Sequence, residues 1–152
     1  MVSIVHRIGI KSPIAEVYKA VSTAEGVSKW WTESTKSLTP SGDALKVDFY
    51  TLGGVLIGGM EFNLASQIPN QQVDWKFSAG PDEWIGTTVS FQLYEEDGMT
   101  LVKFGHNDWK ETSEFMGHCS MKWAVFLWSL REYLEQGKGK PSPHDLKIDN
   151  WN

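Results

Sequence analysis

The chain has 152 residues, a net charge of −5 and a pI near 5.3. This length is typical of one domain with one core, and the acidic balance without any cluster of Lys and Arg argues against a nucleic-acid partner. The single cysteine, Cys119, cannot form an internal disulfide, no apolar run reaches the roughly 20 residues of a membrane span, and no secretory signal is present, so we expect a cytoplasmic protein.

The first part of the chain predicts a strand followed by two short helices. Apolar residues and one histidine alternate from Ile4 to Ile10, as on one face of a strand. The next helix has Ser12 as a candidate cap, Pro13 in its first position, and apolar residues at helical spacing from Ile14 to Val21. A second short helix is predicted over "TAEGVSKWW", which closes on a pair of tryptophans.

From residue 43 the apolar period changes to two, which predicts a series of half-buried strands. The inward rows consist of Leu45, Val47, Phe49, Met60, Phe62, Leu64, Val73, Trp75, Phe77, Val89, Phe91, Leu93, Val102 and Phe104. Short turns rich in Gly, Pro, Asn and Asp separate the runs and indicate an antiparallel meander. The glycine-rich stretch "LGGVLIGG" matches no phosphate-binding loop and is interpreted as a bend or bulge.

The stretch "GHCSMKWAVFLWSLREYLEQG" predicts a long C-terminal helix with one broad apolar face. That face carries Met116, Cys119, Trp123, Phe126, Leu127, Leu130 and Leu134. A twisted antiparallel sheet can curl around such a helix, so the sequence predicts an α+β fold. A smaller apolar patch of Met121, Val125 and Trp128 points away from the main face.

We assign residues 1–136 to the domain and residues 137–152 to a C-terminal tail. Pro141 and Pro143 prevent a helix there, whereas Leu146, Ile148 and Trp151 give the tail apolar groups. We therefore expect the tail to pack on the domain. The outward helix patch is one candidate dock for it, and a homodimer contact through the same patch is the alternative.

The chain resembles the START-like helix-grip superfamily (SRPBCC), which includes birch-pollen-allergen-like proteins. Within it, the chain is most similar to the branch of heat-shock-protein ATPase-activator homologues and polyketide-cyclase-like proteins. The segment "SPIAEVYKAVSTAEGVSKWW" resembles the family's opening helix pair, and "KWAVFLWSLREYLE" resembles its closing helix. In many relatives a glycine precedes the tryptophan of the closing helix, where this chain has Lys122.

The resemblance implies a curved antiparallel sheet wrapped around the long C-terminal helix, with two short helices after the first strand. It also implies an apolar cavity between sheet and helix. Members of the superfamily bind lipids, hormones or polyketides, and others act as cyclases, hydrolases or chaperone partners, so the fold does not fix the task.

The candidate site is the inward face between the sheet and the closing helix. Its predicted ligand-binding residues are Met60, Phe62, Trp75, Phe77, Phe91, Phe104, His106, Met116, Trp123, Phe126 and Leu127. These side chains either fill a core or line a cavity for a hydrophobic small molecule or lipid. By the strand alternation, His106 and His6 also point inward. Each is either a polar group that orients a ligand or acts as a general acid–base, or a hydrogen-bonded structural histidine. We favour the structural role, because no partner residues for catalysis are evident.

Binding of a hydrophobic small molecule or lipid is thus the first functional hypothesis. A cyclase- or hydrolase-like enzyme in the same cavity and a chaperone-related protein-interaction domain are the alternatives. The spacing of "HNDW" and of His118 with Cys119 matches no metal-ligand pattern, so we predict neither a metal nor a cofactor.

Overall fold

A computed structural model describes residues 1–152. Its elements in chain order are β1 Val2–Ile10, α1 Ile14–Ser22, α2 Ala24–Ser28, β2 Ser34–Ser37, β3 Ala44–Tyr50, β4 Leu56–Ile68, β5 Gln72–Ala79, β6 Thr88–Glu96, β7 Met99–Trp109 and α3 Glu114–Gln136. The strands form one antiparallel sheet in the order β1-β7-β6-β5-β4-β3-β2. The predicted α+β helix-grip fold, a curved sheet around the long helix α3, is confirmed. None of the three helices combines the length and the hydropathy that a membrane-spanning helix needs.

The start of α1 differs from the prediction. Pro13 occupies the N-cap position, and its carbonyl accepts hydrogen bonds from the Glu16 and Val17 N–H groups at 3.0 and 3.2 Å. The capping role expected of the Ser12 side chain is therefore wrong, because the helix begins one residue later and its cap is a residue without a side-chain oxygen. The Ser12 carbonyl accepts a hydrogen bond from Thr100 Oγ1 at 2.7 Å instead.

Two parts of the sheet differ from the prediction, because their residues do not alternate between apolar and polar. Edge strand β2 was not predicted, because Ser34–Ser37 is polar and mostly exposed. Only the first half of "LGGVLIGG" forms a turn, since Leu56–Gly59 already belongs to β4. The expected irregularity is a shift of register in the β3–β4 pairing between Phe49 and Tyr50.

The apolar face of α3 packs against the sheet as predicted. Of its seven residues all but Leu134 are buried, and Leu134 is partly buried against the same core. Two polar residues of α3 are buried as well, Lys122 and Ser129. The Ser129 hydroxyl donates to the Trp30 carbonyl at 2.8 Å and accepts from the Lys140 N–H at 2.7 Å, so it connects the helix to the tail.

Aromatic rings fill most of the space between sheet and helix. The Trp31 ring lies 5.2 Å from Trp75 and 5.1 Å from Trp123, and Phe62 lies 4.6 Å from Trp75, all measured between ring centroids. Trp30 is fully buried too, and its indole N–H donates to the Ala20 carbonyl at 2.9 Å. Such rings bury large apolar areas and gain further from their mutual geometry, so the centre of the grip is a packed core.

The tail leaves α3 at Gly137, whose φ of 84° suits a helix end, and runs back along the domain. Its Ser142 donates to the Trp31 carbonyl at 2.8 Å and accepts from the Glu33 N–H at 3.1 Å. The outward helix patch is not covered by the tail, because Met121 and Trp128 are 57% and 55% exposed.

Two helical glycines are expected to respond oppositely to alanine. At Gly117 in α3 a Cβ would meet nothing within 4 Å, so Gly117→Ala should stabilise the fold by about 0.5–1 kcal/mol. At Gly26 in α2 a Cβ would lie 2.6 Å from the Lys19 carbonyl and 2.7 Å from the Ala20 Cα, so Gly26→Ala should destabilise it. Urea unfolding of the two variants measures the difference, and equal effects would contradict the close contact of α1 with α2.

Candidate functional site

A cleft of about 640 Å³ opens beside the N-terminal half of α3. Its walls are β4 at Ile57–Met60, the β5–β6 loop, the segment of α3 from Phe115 to Phe126, and the last two residues of the tail. Trp31 and Phe49 also line it. The cleft therefore lies at one end of the grip, where the packed core stops.

The lining of the cleft is mainly apolar, since 10 of its 17 residues are hydrophobic. Three buried indoles pack together and form an indole wall of the cleft. The Trp84 ring is nearly parallel to Trp31, with 6.4 Å between centroids and 12° between planes, and to Trp123, with 5.9 Å and 20°, whereas Trp31 and Trp123 are tilted by 32°. A wall of this kind suits an apolar or ring-containing ligand.

The structure divides the predicted site residues into two groups. Met60, Trp123 and Phe126 line the cleft. The others are buried outside its lining: Phe62, Trp75, Phe77, Phe91, Phe104, His106, Met116 and Leu127. Strand and helix periodicity selects the whole inward face, and it does not separate the packed part from the open end.

Several lining residues were not among those predicted. Trp84 comes from the loop between β5 and β6, Trp31 follows α2, and Trp151 belongs to the tail. None of them lies in a segment with a predictable inward face. In the sequence, Trp31 belongs to the pair that ends the second predicted helix and Trp151 is an apolar group of the tail, whereas the only signal for Trp84 is the unusual number of tryptophans, eight in all.

His106 is fully buried and both ring nitrogens are engaged. Its Nδ1 lies 3.1 Å from Trp123 Nε1, and its Nε2 lies 2.8 Å from Thr87 Oγ1, which in turn donates to the Trp84 carbonyl at 2.6 Å. An indole nitrogen can only donate, so Nδ1 accepts and Nε2 carries the proton of the neutral ring. Burial lowers the pKa of His106 to about 3, which keeps the imidazole neutral.

These contacts make His106 a structural histidine that positions Trp123 and Thr87. It does not line the cleft. His6 is not beside it in the sheet either: His6 pairs across the strands with Phe104, and its Nε2 lies 3.1 Å from the Ser120 carbonyl oxygen.

The remaining titratable groups of the cleft are His118, Cys119 and Lys122. Burial raises the pKa of the Cys119 thiol to about 12, so the sulfur stays protonated and weakly nucleophilic. His118 Nδ1 lies 2.7 Å from Asp149 Oδ2, and this hydrogen bond lowers the pKa of the Asp149 carboxyl. No three His, Cys, Asp and Glu side chains come together as a metal site would require.

Lys122, the residue that departs from the family pattern, is 8% exposed and forms a buried ion pair with the tail. Its ammonium donates to the Asp145 carboxylate, to the Leu146 carbonyl at 2.8 Å and to the Asn152 carbonyl at 3.4 Å. The tail thus reaches the edge of the cleft through this one lysine.

Comparison with known proteins agrees with this fold. The sequence model of the family described as "Activator of Hsp90 ATPase homolog 1-like protein" matches residues 11–135. The chain belongs to this family. A comparison with curated proteins finds no match.

Among solved structures, the chain is similar to the Aha1 dimer from Colwellia psychrerythraea, with 42% identity and a TM-score of 0.74 over 91% of this chain and 100% of that one. CalU16 from Micromonospora echinospora shares 21% identity and a TM-score of 0.70 over 97% of this chain and 74% of that one. The AHSA1-like protein from Aeromonas hydrophila has 14% sequence identity to this chain and a TM-score of 0.67, over 90% of this chain and 94% of that one. The last two likenesses show the fold alone.

The buried His106 predicts a pH-dependent stability. Its pKa is about 3 in the folded protein against an ordinary 6.5, so the unfolded chain binds the proton more readily. The contribution of His106 to the free energy of unfolding should be fully present above pH 6.5. Below that, as the pH drops towards 3, the free energy of unfolding should fall by about 1.4 kcal/mol per pH unit.

Urea unfolding between pH 6.5 and pH 5 measures this slope, in a range above that in which most carboxylates titrate. A His106→Gln variant keeps a donor and an acceptor and should lose the slope, whereas His6→Gln should retain it. A wild-type stability that is flat over this range would contradict the neutral buried imidazole.

Proposed function

We propose that the protein binds an apolar small molecule or lipid in the cleft beside α3. The observation that carries this proposal is the cleft itself: its volume of about 640 Å³ and its indole wall are typical of sites for small apolar ligands, which commonly occupy about 300–1,000 Å³. Membership of the family supports ligand binding or a related role, and the proposal places that role at the open end of the grip.

Burial provides the affinity in this proposal. Each CH₂ group of a ligand that leaves water for the cleft contributes roughly 0.8 kcal/mol before the cost of association. The polar groups His118 and Lys122 lie at the α3 side of the cleft and orient whichever polar end the ligand has.

A variant that fills the cleft tests this proposal. Gly58 shares the inward face of β4 with Met60, and a Cβ there meets nothing within 4 Å, so Gly58→Leu should project a side chain into the cleft. We expect intrinsic tryptophan fluorescence to show saturable binding of decan-1-ol by the wild type, and binding at least ten-fold weaker by Gly58→Leu.

Gly117→Leu is the matched control, because it adds the same side chain to a position of α3 outside the cleft where a Cβ is also unobstructed. It should bind decan-1-ol as the wild type does. Native mass spectrometry of the purified protein adds a direct search for a retained apolar molecule. A wild type that neither carries one nor binds decan-1-ol would overturn the proposal.

The cyclase- or hydrolase-like alternative has less support from the cleft. Two of the titratable groups in the cleft are poorly suited to catalysis, because Lys122 is paired with Asp145 and the Cys119 thiol stays protonated. His118, hydrogen-bonded to Asp149, is the only group there placed for proton transfer.

We further propose that the protein self-associates through the tip of the β3–β4 hairpin. Leu52, Val55, Leu56 and Ile57 are between 54% and 72% exposed, and no charged residue occurs from residue 51 to residue 60. In a chain of net charge −5, two copies repel each other least at such an uncharged apolar surface. The relative with 42% identity is described as a dimer.

Analytical ultracentrifugation of two lysine variants tests this interface. Leu56→Lys should convert a dimer to a monomer, whereas Trp128→Lys, in the outward helix patch, should leave it intact. Dissociation by Trp128→Lys alone would assign the interface to the helix instead. A monomeric wild type that stimulates the ATPase of a purified Hsp90-type chaperone would favour the chaperone-related alternative.

A further inference from the structure

Lys122 is the only Lys or Arg side chain that lines the cleft. The lining contains no Asp and no Glu. The ammonium also lies 5.1 Å from the centre of the Phe126 ring, which is itself part of the lining. An apolar cleft with one buried cation favours a ligand that has an apolar body and a negatively charged end.

All hydrogen-bond acceptors of this ammonium come from the tail. They are the Asp145 carboxylate and the carbonyls of Leu146 and Asn152. The Asp145 side chain is completely buried and paired with Lys122. It therefore occupies the position at the ammonium that the carboxylate of a ligand would need. The cleft as it stands is thus closed on its polar side by a carboxylate of the protein itself.

We propose that the cleft binds an anionic amphiphile, a long-chain carboxylate, whose head displaces Asp145 from Lys122 and so releases the tail. This inference rests on the proposed function of the cleft. The apolar chain of the ligand lies against the indole wall, and residues 143–152 act as a strap that a ligand must displace.

The exchange of carboxylates is favourable in its electrostatics. A buried ion pair gains little net stability, yet removal of one partner leaves an uncompensated charge, so Lys122 requires some anion but not that of the tail. When Asp145 moves away from Lys122, its carboxylate stays paired with a positive charge, because Lys147 Nζ lies 3.2 Å from its Oδ1.

The strap is also the weakly held part of the tail. Upstream, residues 140–142 are fixed by hydrogen bonds from the backbone to Ser129, Trp31 and Glu33. Downstream, Leu146 and Trp151 remain 63% and 45% exposed. Besides the hydrogen bonds to Lys122 and His118, the contacts of this segment to the domain include the Trp151 ring, 6.4 Å from that of Phe115, and an exposed pair of His144 with Glu33 at 3.4 Å. Segments that bury little apolar surface open locally at low cost.

The test compares ligands with the same chain and different heads: decanoate, decan-1-ol and decylamine, each below its aggregation concentration. We expect decanoate to bind the wild type more tightly than the other two. In Asp145→Asn the competing carboxylate is gone, so decanoate affinity should rise at least ten-fold while decan-1-ol affinity changes less than three-fold.

Two further variants keep the test decisive. Asp149→Asn weakens the strap at His118 without touching Lys122, so it should also raise decanoate affinity even if Asp145→Asn fails to fold. Glu96→Gln removes a carboxylate that pairs with Arg7 on the exposed surface of the sheet and should change nothing.

The outcomes separate the two proposals. If decan-1-ol binds as well as decanoate and neither Asp145→Asn nor Asp149→Asn selects for decanoate, the strap inference is overturned while the cleft remains a ligand site. If none of the three probes binds, the proposed function fails as well. Hydrogen exchange adds a second readout, since amides of residues 143–152 should lose protection when decanoate binds.

Discussion

The packing of Trp123 against Trp31 and Trp84 is the contact on which the rest of the structure depends. It joins three elements that are distant in sequence: helix α3, the end of the α2 segment and the β5–β6 loop. Because these rings occupy the space between sheet and helix, the cavity is confined to one end of the grip. The same rings are both the edge of the core and the wall of the cleft.

Buried polar groups fix this aromatic packing in one arrangement. His106 accepts from the Trp123 indole and engages Thr87, and Thr87 holds the Trp84 carbonyl. A neutral imidazole performs this role without the cost of a buried charge. His106, for which the sequence favours a structural role over a chemical one, thus positions Trp123 and Thr87 outside the lining of the cleft.

Lys122 serves the opposite purpose, because it introduces a charge where the core ends. A lysine buried directly before Trp123 requires an anion. The tail supplies that anion, so the closing helix, the tail and the cleft are coupled through a single side chain. The proposed ligand class and the proposed strap both follow from this coupling.

The sequence by itself determined the architecture of the protein. The alternation of apolar residues in β3 to β7 and the apolar face of α3 recur at periods that only a strand and a helix satisfy, and together with the family resemblance they defined the helix-grip fold. They also identified the inward face, of which Met60, Trp123 and Phe126 line the cleft. The polar edge strand β2 carries no such period and is not predicted, and the cap of α1 is Pro13 rather than Ser12.

Only the tertiary structure decided which part of the inward face is packed and which is open. Phe62, Trp75 and Phe104 have the same pattern in the sequence as Met60, yet they are buried in the core, because ring packing depends on how curved strands meet the helix. Trp84 and the tail lie in irregular segments that have no periodicity, and Asp145, which pairs with Lys122 across 23 residues, belongs to the tail. Periodicity reports which face of an element is apolar, and long-range packing alone decides what that face touches.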